Sequence, residues 1–294
     1  MPEIWTNSRL KCLQTCPMKE KLRYRDELVP IGRSKALQIG TAIHKGIELW
    51  SVVAGVKELE AQLPYPSSTE EANEQTIALA TVQAMLEGYF AIYDEFKEHQ
   101  PETLFDLGMR YPIKGGKLRT SRMIHVCGKI DDIATINGEQ WLVEYKTASQ
   151  IDKSYFDRLY VDSQITMYMM AARRMGYKPV GVIYRVLKKP SIRQRQNETV
   201  EKFTERLRLD YLQRPEFYYY ETRLYRTQDD LIDFEKELWY QVVQAEKNAR
   251  KGVCWRHTKS CSDYGTCPYL PLCMRDNDAE LMFEHREANE ELRG

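Results

Sequence analysis

Apolar and polar positions alternate with two different periods along the chain. Between Val126 and Thr147 the chain reads as two β-like runs, Val126–Ile136 and Trp141–Thr147, separated by Asn137-Gly138 and a polar pair. Two β-like runs flanking an Asn-Gly dipeptide predict a hairpin. Further strands are expected at 103–113, at the continuous apolar run Val180–Leu187, and at 216–226. In that last run at least one of Tyr218, Tyr219 and Tyr220 must face a core, because strand side chains alternate. A helical period governs other segments. Ile43, Ile47 and Trp50 fall at i, i+4 and i+7 on one stripe. Residues 7–25 predict a basic helix capped by Asn7 or Ser8. Pro17 is tolerated only in a first turn, so a break is expected near Cys16, with a new helix from Pro17. Long helices are expected over 69–98, capped at Ser68 or Thr69, over 153–176, ended by Gly176, and over 227–252. Residues 57–68 carry Pro and Ser and predict a loop, and Lys114–Lys117 a turn. The Gly-Gly of that turn lacks the Gly-Lys-Ser/Thr ending of a phosphate loop.

Composition narrows the class. The chain has 294 residues, 43% hydrophobic and 29% charged, as expected of a soluble globule. It contains no apolar run long enough to span a bilayer and no signal-peptide core after Met1, so a cytoplasmic protein is expected. Lys and Arg balance Asp and Glu to a formal net charge of zero, so any nucleic-acid contact must use a local patch. Lys178, Arg185, Lys188, Lys189, Arg193 and Arg195 form an acid-free basic stretch. It is read either as a solvated loop after a strand or as a backbone-binding patch, with Lys188, Lys189, Arg193 and Arg195 as candidate DNA contacts. Seven cysteines in such a chain suggest metal or cluster chemistry before disulfides.

Candidate chemistry concentrates on the hairpin. Glu144 and Lys146 stand at i and i+2, on one face of the second strand, and the hairpin can fold Asp131 against them. Asp132, its neighbour, would point to the other face. Two carboxylates and an ammonium on one sheet face are costly to desolvate, and a divalent cation is the usual answer.

Gly128-x-x-Asp131 followed by Glu144-x-Lys146 resembles the PD-(D/E)xK nuclease superfamily, in its RecB-like branch. Gly40-x-x-x-His44 upstream and Gln164-x-x-x-Tyr168 downstream are similar to further motifs of that branch, in the same order, and Ser8, Cys16-Pro17 and Tyr24 resemble its opening. The resemblance implies an α/β fold with a mixed central sheet flanked by helices, a restriction-endonuclease-like core with helical additions. It implies that His44, Asp131, Glu144 and the Tyr145 carbonyl hold Mg²⁺ or Mn²⁺, that Lys146 serves the chemistry, and that Gln164 and Tyr168 line the site and touch DNA. Without it, His44 would be a half-buried helix histidine, the Met-rich stripe around Gln164 ordinary core, and Glu48, one turn after His44, a solvated side chain. For Glu48 that reading stands.

Cys261, Cys267 and Cys273 recur six residues apart, with Tyr, Gly and Pro between them, and Cys254 precedes them. Zinc ribbons use paired Cys-x-x-Cys knuckles, which are absent here. Four thiolates at wider intervals suit a 4Fe-4S cluster better, with zinc on the same ligands or plain thiols as alternatives. The arrangement resembles the iron–sulfur subgroup of the RecB-like nucleases, with one cysteine before the nuclease motifs and three after them. That implies Cys16, Cys261, Cys267 and Cys273 as ligands, although the first two of the trio stand wider apart than in the family. Cys254 is the substitute for Cys16, and Cys12 and Cys127 are structural thiols. One nuclease domain over 1–294 is expected, with 1–25 and 254–273 joined by the cluster and 274–294 an acidic tail, helical or flexible. The implied activity is deoxyribonuclease, exonucleolytic or single-strand-acting, in recombination, repair or replication, as in a stand-alone phage or prokaryotic enzyme. The alternative is a non-catalytic DNA-end-binding or partner-docking protein on the same fold.

Overall fold

Asn137 and Gly138 turn the chain with φ of 53° and 80° in the computed structural model, which describes residues 2–32, 35–115, 117–263, 265–289 and 292. Positive φ at both central residues is the type I′ requirement, and Asn-Gly meets it cheaply. The predicted hairpin is the centre of a mixed α/β fold.

In chain order the elements are β1 (Glu3–Trp5), α1 (Asn7–Thr15), α2 (Pro17–Glu20), β2 (Leu28–Pro30), α3 (Lys35–Glu48), α4 (Val52–Gln62), α5 (Thr69–Ile92), β3 (His99–Pro112), β4 (Leu118–Ile136) and β5 (Glu139–Ala148). There follow α6 (Lys153–Asp157), α7 (Ser163–Arg174), β6 (Pro179–Lys188), α8 (Val200–Gln213), α9 (Pro215–Tyr218), β7 (Tyr219–Leu224), α10 (Gln228–Arg250), α11 (Leu270–Met274) and β8 (Phe283–His285). The main sheet has six strands in the order β1-β4-β5-β6-β7, with β3 on the other edge of β4. β5 and β6 are parallel, joined by a crossover through α6 and α7, while β3–β4, β4–β5 and β6–β7 are antiparallel.

Side-chain alternation divides the core between the two sheet faces. Leu142 on β5 and Val182 on β6 meet Ile165, Met169 and Met170 of α7 and Leu238 and Val242 of α10. Val143, Tyr145 and Ile183 point the other way, to Ile43 and Ile47 of α3, Met85 and Tyr89 of α5 and Leu207 of α8. Burying a side chain of this size contributes roughly 1.5–3 kcal/mol. Arg185, on β6 and 7% exposed, carries a charge into the second layer. Its guanidinium donates to Glu221 at 2.9 Å and to the Tyr89 hydroxyl at 2.7 Å, and lies 4.0 Å from the Tyr93 ring centre. Hydrogen bonds and ring faces replace the water it has lost.

Several expectations need correction. The cap of α1 is Thr6, whose hydroxyl accepts from the Arg9 amide at 3.1 Å, not Asn7 or Ser8. The expected loop at 57–68 is helical as far as Gln62, because Ser51 caps α4 and Leu59 buries its face; Pro64 lies just beyond the stop. The helix expected over 69–98 is capped by Ser68 but ends at Ile92, where Tyr93 turns extended. The one expected over 153–176 divides, because the Asp162 carboxylate accepts from the Gln164 amide at 2.7 Å and starts α7 afresh. Pro215 opens α9, so β7 begins only at Tyr219, while β3 begins four residues before the expected 103. β1 and α8 were not expected. Of the 114–117 turn, Gly116 lies outside the described residues.

The acidic tail is also corrected. It is neither helix nor loose chain over Phe283–His285, where β8 pairs antiparallel with β2. Both chain ends are stitched together there. The Met18 amide donates to Trp255 O at 3.0 Å, and the Tyr269 hydroxyl to Leu28 O at 2.9 Å.

Candidate active site

β4 and β5 pair only from Ile136–Glu139 to Asp132–Val143. Beyond that point β5 stays with β6, while β4 meets β1 again only at Ile124–Val126. One edge of β4 is therefore open from Cys127 to Asp131, and the far half of β5 faces the opening. The motif residues lie on its two sides.

Asp131 bridges the gap. Its Oδ2 accepts the Tyr145 amide at 3.0 Å, so the carboxylate takes the place of a ladder bond the diverging strands no longer make. Its Oδ1 lies 3.6 Å from His44 Nδ1, presented by α3. Glu144, 2% exposed, points to the α7 side. Its Oε1 accepts from Lys146 Nζ and, at 2.8 Å, from Gln164 Nε2, which also donates to the Tyr168 hydroxyl at 3.1 Å. Glu144 Oε2 is buried and finds no hydrogen-bond partner among the described residues.

The electrostatics follow from this packing. Burial opposes ionisation of Asp131, but His44 and then Lys146 outweigh it and hold its pKa below the ordinary carboxylate value. Burial first, and the Asp131 charge second, push Glu144 up to about 7. Burial disfavours the charged forms of His44 and Lys146, yet their carboxylate partners more than reverse this and raise both. The result is two carboxylates in one electrostatic neighbourhood, with a retained ammonium beside them. An orphaned carboxylate oxygen in such a set is a position a hard cation would satisfy.

Gly128 explains the first residue of its motif. A Cβ there would stand 2.6 Å from the Phe105 ring, so only glycine fits under that ring, with the ring of Tyr168 close by at 3.4 Å. Asp132 turns away from Asp131, as alternation requires, and its Oδ2 meets His99 Nδ1 at 2.8 Å. Glu48 and Glu102 complete the rim around His44 and Asp131. Glu48 is engaged by Lys45 at 2.8 Å and Glu102 by Lys129 at 2.5 Å. Nothing in the spacing of Glu102 signalled its presence: a lone residue on an adjacent strand carries no pattern.

The basic stretch divides. Arg185 is buried in the aromatic cage and leaves the surface patch. Lys178 stands at the opposite end of β6 from Lys188. Lys188 and Lys189 sit at the Lys146 end of the sheet, where the Lys189 amide donates to Ala148 O at 2.8 Å. The Lys188 ammonium lies 3.6 Å over the Phe217 ring, and burial lowers the pKa of Lys189. Arg193 and Arg195 are exposed, and Glu198, just past the stretch, accepts the Arg195 amide at 2.9 Å.

The cysteines gather at the joined chain ends. The Cys261 thiol is pushed up by desolvation first, then by Cys267, Cys16 and Cys273, which places these four in one neighbourhood. Cys16 Sγ accepts the His257 amide at 3.4 Å. Cys254 lies near Cys16 and is pushed up mainly by burial. Burial raises the Cys12 and Cys127 thiols to about 12. As the side chains lie, no three His, Cys, Asp or Glu among the described residues close on a common point.

The described residues contain no helix long and apolar enough to cross a membrane. No curated protein sequence matches the chain. Among solved structures, a Eubacterium rectale protein described as a candidate exonuclease is similar at 12% identity and a TM-score of 0.47, covering 93% of this chain and 88% of that one. A protein designated SSO0001 is similar at 14% identity and a TM-score of 0.24, covering 69% and 84%. The profile of the PD-(D/E)XK nuclease superfamily matches residues 4–274, a span that holds every motif residue at the β4–β5 opening, and the chain belongs to that superfamily.

Proposed function

We propose that the chain is a metal-dependent deoxyribonuclease of the RecB-like branch, acting on single strands or strand ends, with residues 1–294 forming one nuclease domain. The observation that carries this reading is the convergence of Asp131, Glu144 and Lys146 at the open edge of β4, with His44 and Gln164 closing on them from opposite sheet faces. Asp131, Glu144, His44 and the Tyr145 carbonyl would hold Mg²⁺ or Mn²⁺, and the unpartnered Glu144 Oε2 suits that role. A bound ion of this kind polarises a phosphate oxygen and lowers the pKa of a bound water. Lys146, kept protonated by its carboxylate neighbours, orients the attacking water and counters the charge that develops on the phosphate. Gln164 fixes Glu144 and, with Tyr168, positions the strand.

The second part of the reading concerns Cys16, Cys261, Cys267 and Cys273. Soft thiolates gathered from both chain ends fit a 4Fe-4S cluster, with zinc as the other metal such ligands take. Cys16 weighs on Cys261 together with Cys267 and Cys273, which supports Cys16 as the fourth ligand, with Cys254, near Cys16, as its substitute.

The test is incubation of 5′- and 3′-labelled single- and double-stranded DNA with anaerobically purified protein, with Mg²⁺, Mn²⁺ or EDTA. Hydrolysis that needs the cation supports the reading. DNA binding without cleavage under any of these conditions would turn it to a non-catalytic end-binding protein.

A further inference from the structure

A cleft of about 630 Å³ continues from Lys146 away from the carboxylates, between β5 and the start of α7. Ligand sites of this size take a nucleotide-sized group. Its lip is the short run of α6 and the turn of 3₁₀ helix Arg158–Val161 that follows it. The guanidinium of Arg158 stacks 4.3 Å from the Tyr155 ring centre, and Tyr155, 9% exposed, is anchored in the core. Among the described residues no carboxylate lies within ion-pair distance of Arg158, although its charge helps hold the Asp152 carboxyl low. The lip itself carries one acid, Asp157, and the two that flank it are committed elsewhere. Asp152 caps α6, accepting the Tyr155 amide at 2.9 Å, and Asp162 caps α7 and pairs with Lys11 at 3.1 Å. Two residues beyond Arg158, Tyr160 is 65% exposed, and Val161 after it 84%.

An arginine that lines the cleft and is held on a ring face, a cleft that reaches Lys146, and an uncovered aromatic ring in the same turn as the arginine are the parts of a single-strand platform. Backbone charge is met by the arginine and a base by the ring. We propose that the Arg158–Val161 lip holds the single strand beside the hydrolysed bond, Arg158 on a phosphate and Tyr160 stacked under a base. This rests on the nuclease reading above and adds to it the strand form and two positioning residues. Neither residue touches the reacting atoms. The ring needs an unstacked base, so the lip selects single strands over blunt duplex.

The experiment measures binding of fluorescein-labelled oligothymidylate to the full chain in EDTA across a salt series, and cleavage of the same oligonucleotide with Mn²⁺. Arg158→Ala should weaken binding and lower the salt slope by about 0.7, the single-strand value for one phosphate no longer neutralised, while Arg158→Lys should restore the slope. Tyr160→Ala should weaken single-strand binding about tenfold with the slope unchanged, and leave blunt-duplex binding as it was. Both variants should raise KM and spare kcat. Wild-type affinity and slope in both variants, with cleavage intact, would overturn the lip and leave the nuclease reading standing. A Tyr160→Ala loss of equal size on blunt duplex would also overturn it. Wild-type protein that neither binds nor cleaves the oligonucleotide would overturn both readings together.

Discussion

The Tyr145 amide donates to the Asp131 carboxylate at 3.0 Å, across the point where β4 and β5 cease to pair. One carboxylate thus closes the fold at the end of the hairpin and offers its second oxygen to the site. The two duties separate by substitution. Asp131→Asn keeps an acceptor for the amide and should fold with near-native stability, while cleavage falls at least about a hundredfold, the scale of losing one preorganised electrostatic group. Asp131→Ala strands a buried donor and should in addition lose about 1–3 kcal/mol. Denaturant unfolding beside a cleavage assay separates the effects. Full activity in Asp131→Asn together with loss in Asp132→Asn would exchange the roles assigned to the two aspartates.

Lys146 is the partner that brings no lone pair to a cation while it is protonated. Lys146→Met should therefore lose cleavage by about two orders of magnitude or more and still bind Mn²⁺. Its removal frees Glu144 Oε1 from an ion pair, so affinity for the ion should stay level or rise. Calorimetric titration with Mn²⁺ reads this directly, and disappearance of binding would contradict the division of labour.

Gly128 should not tolerate a methyl group. The Phe105 ring at 2.6 Å from the added carbon belongs to β3 and cannot retreat without loosening the core, because the Tyr168 ring packs edge-on against it. Gly128→Ala should cost about 1–3 kcal/mol, as overpacked cores do, and should depress cleavage by more than that stability loss explains, because Tyr168 and Gln164 share the shift. Adding Phe105→Leu should recover stability. A Gly128→Ala protein with native stability and activity would remove the packing account of this position.

Much of this was legible because local chemistry and global packing agree in the hairpin. Asn-Gly fixes the turn, and period-two alternation then sends Glu144 and Lys146 to one face. The order of His44, Asp131, Glu144, Lys146, Gln164 and Tyr168 along the chain supplied the rest of the site. What the sequence hid was set by long-range partners. Arg185 looked like one more cation in a basic run, and only the fold brings Tyr89, Tyr93 and Glu221 around it. α8 escaped because its buried positions, Phe203, Leu207 and Tyr211, are diluted by charge. The division before α7 turns on one Asp162 side chain choosing the Gln164 amide, and amphipathic period does not register such a choice.

Arg185 and the exposed arginines should accordingly part company in experiment. Arg185→Ala removes a cation from between rings and leaves Glu221 short of its partner, so stability should fall by about 3 kcal/mol, with the salt dependence of DNA binding unchanged. Reversing Arg193 or Arg195 should do the opposite, leaving the unfolding midpoint in place and lowering the slope by about 0.7–0.9 for each phosphate no longer neutralised. An unchanged slope for both would leave Lys188–Arg195 as a solvated loop.

The clasp at the chain ends can be taken apart in two ways. β2–β8 pairing, the Met18–Trp255 bond and the Tyr269–Leu28 bond join the ends through protein contacts alone. The proposed cluster would add a cross-link between Cys16 and the Cys261–Cys273 segment. A cross-link closing nearly the whole chain restricts the unfolded state by a few kcal/mol in the chain-entropy account, typically about 2–4, against about 1 kcal/mol for a single hydrogen bond. Protein purified without oxygen should be brown, and each of Cys16→Ser, Cys261→Ser, Cys267→Ser and Cys273→Ser should be colourless, with a loss of stability well above that of Tyr269→Phe. Cys12→Ser and Cys127→Ser should stay brown, since neither belongs to the proposed ligand set and Cys127 stands on β4, apart from the joined chain ends. Colour that survives Cys16→Ser and vanishes only when Cys254 is also replaced would move the fourth ligand and detach the cluster from α2. A colourless wild type carrying one zinc and no iron would replace the cluster while keeping the same four ligands. If the cysteine variants cost no more stability than Tyr269→Phe, the ends are held by β2, β8 and their hydrogen bonds alone.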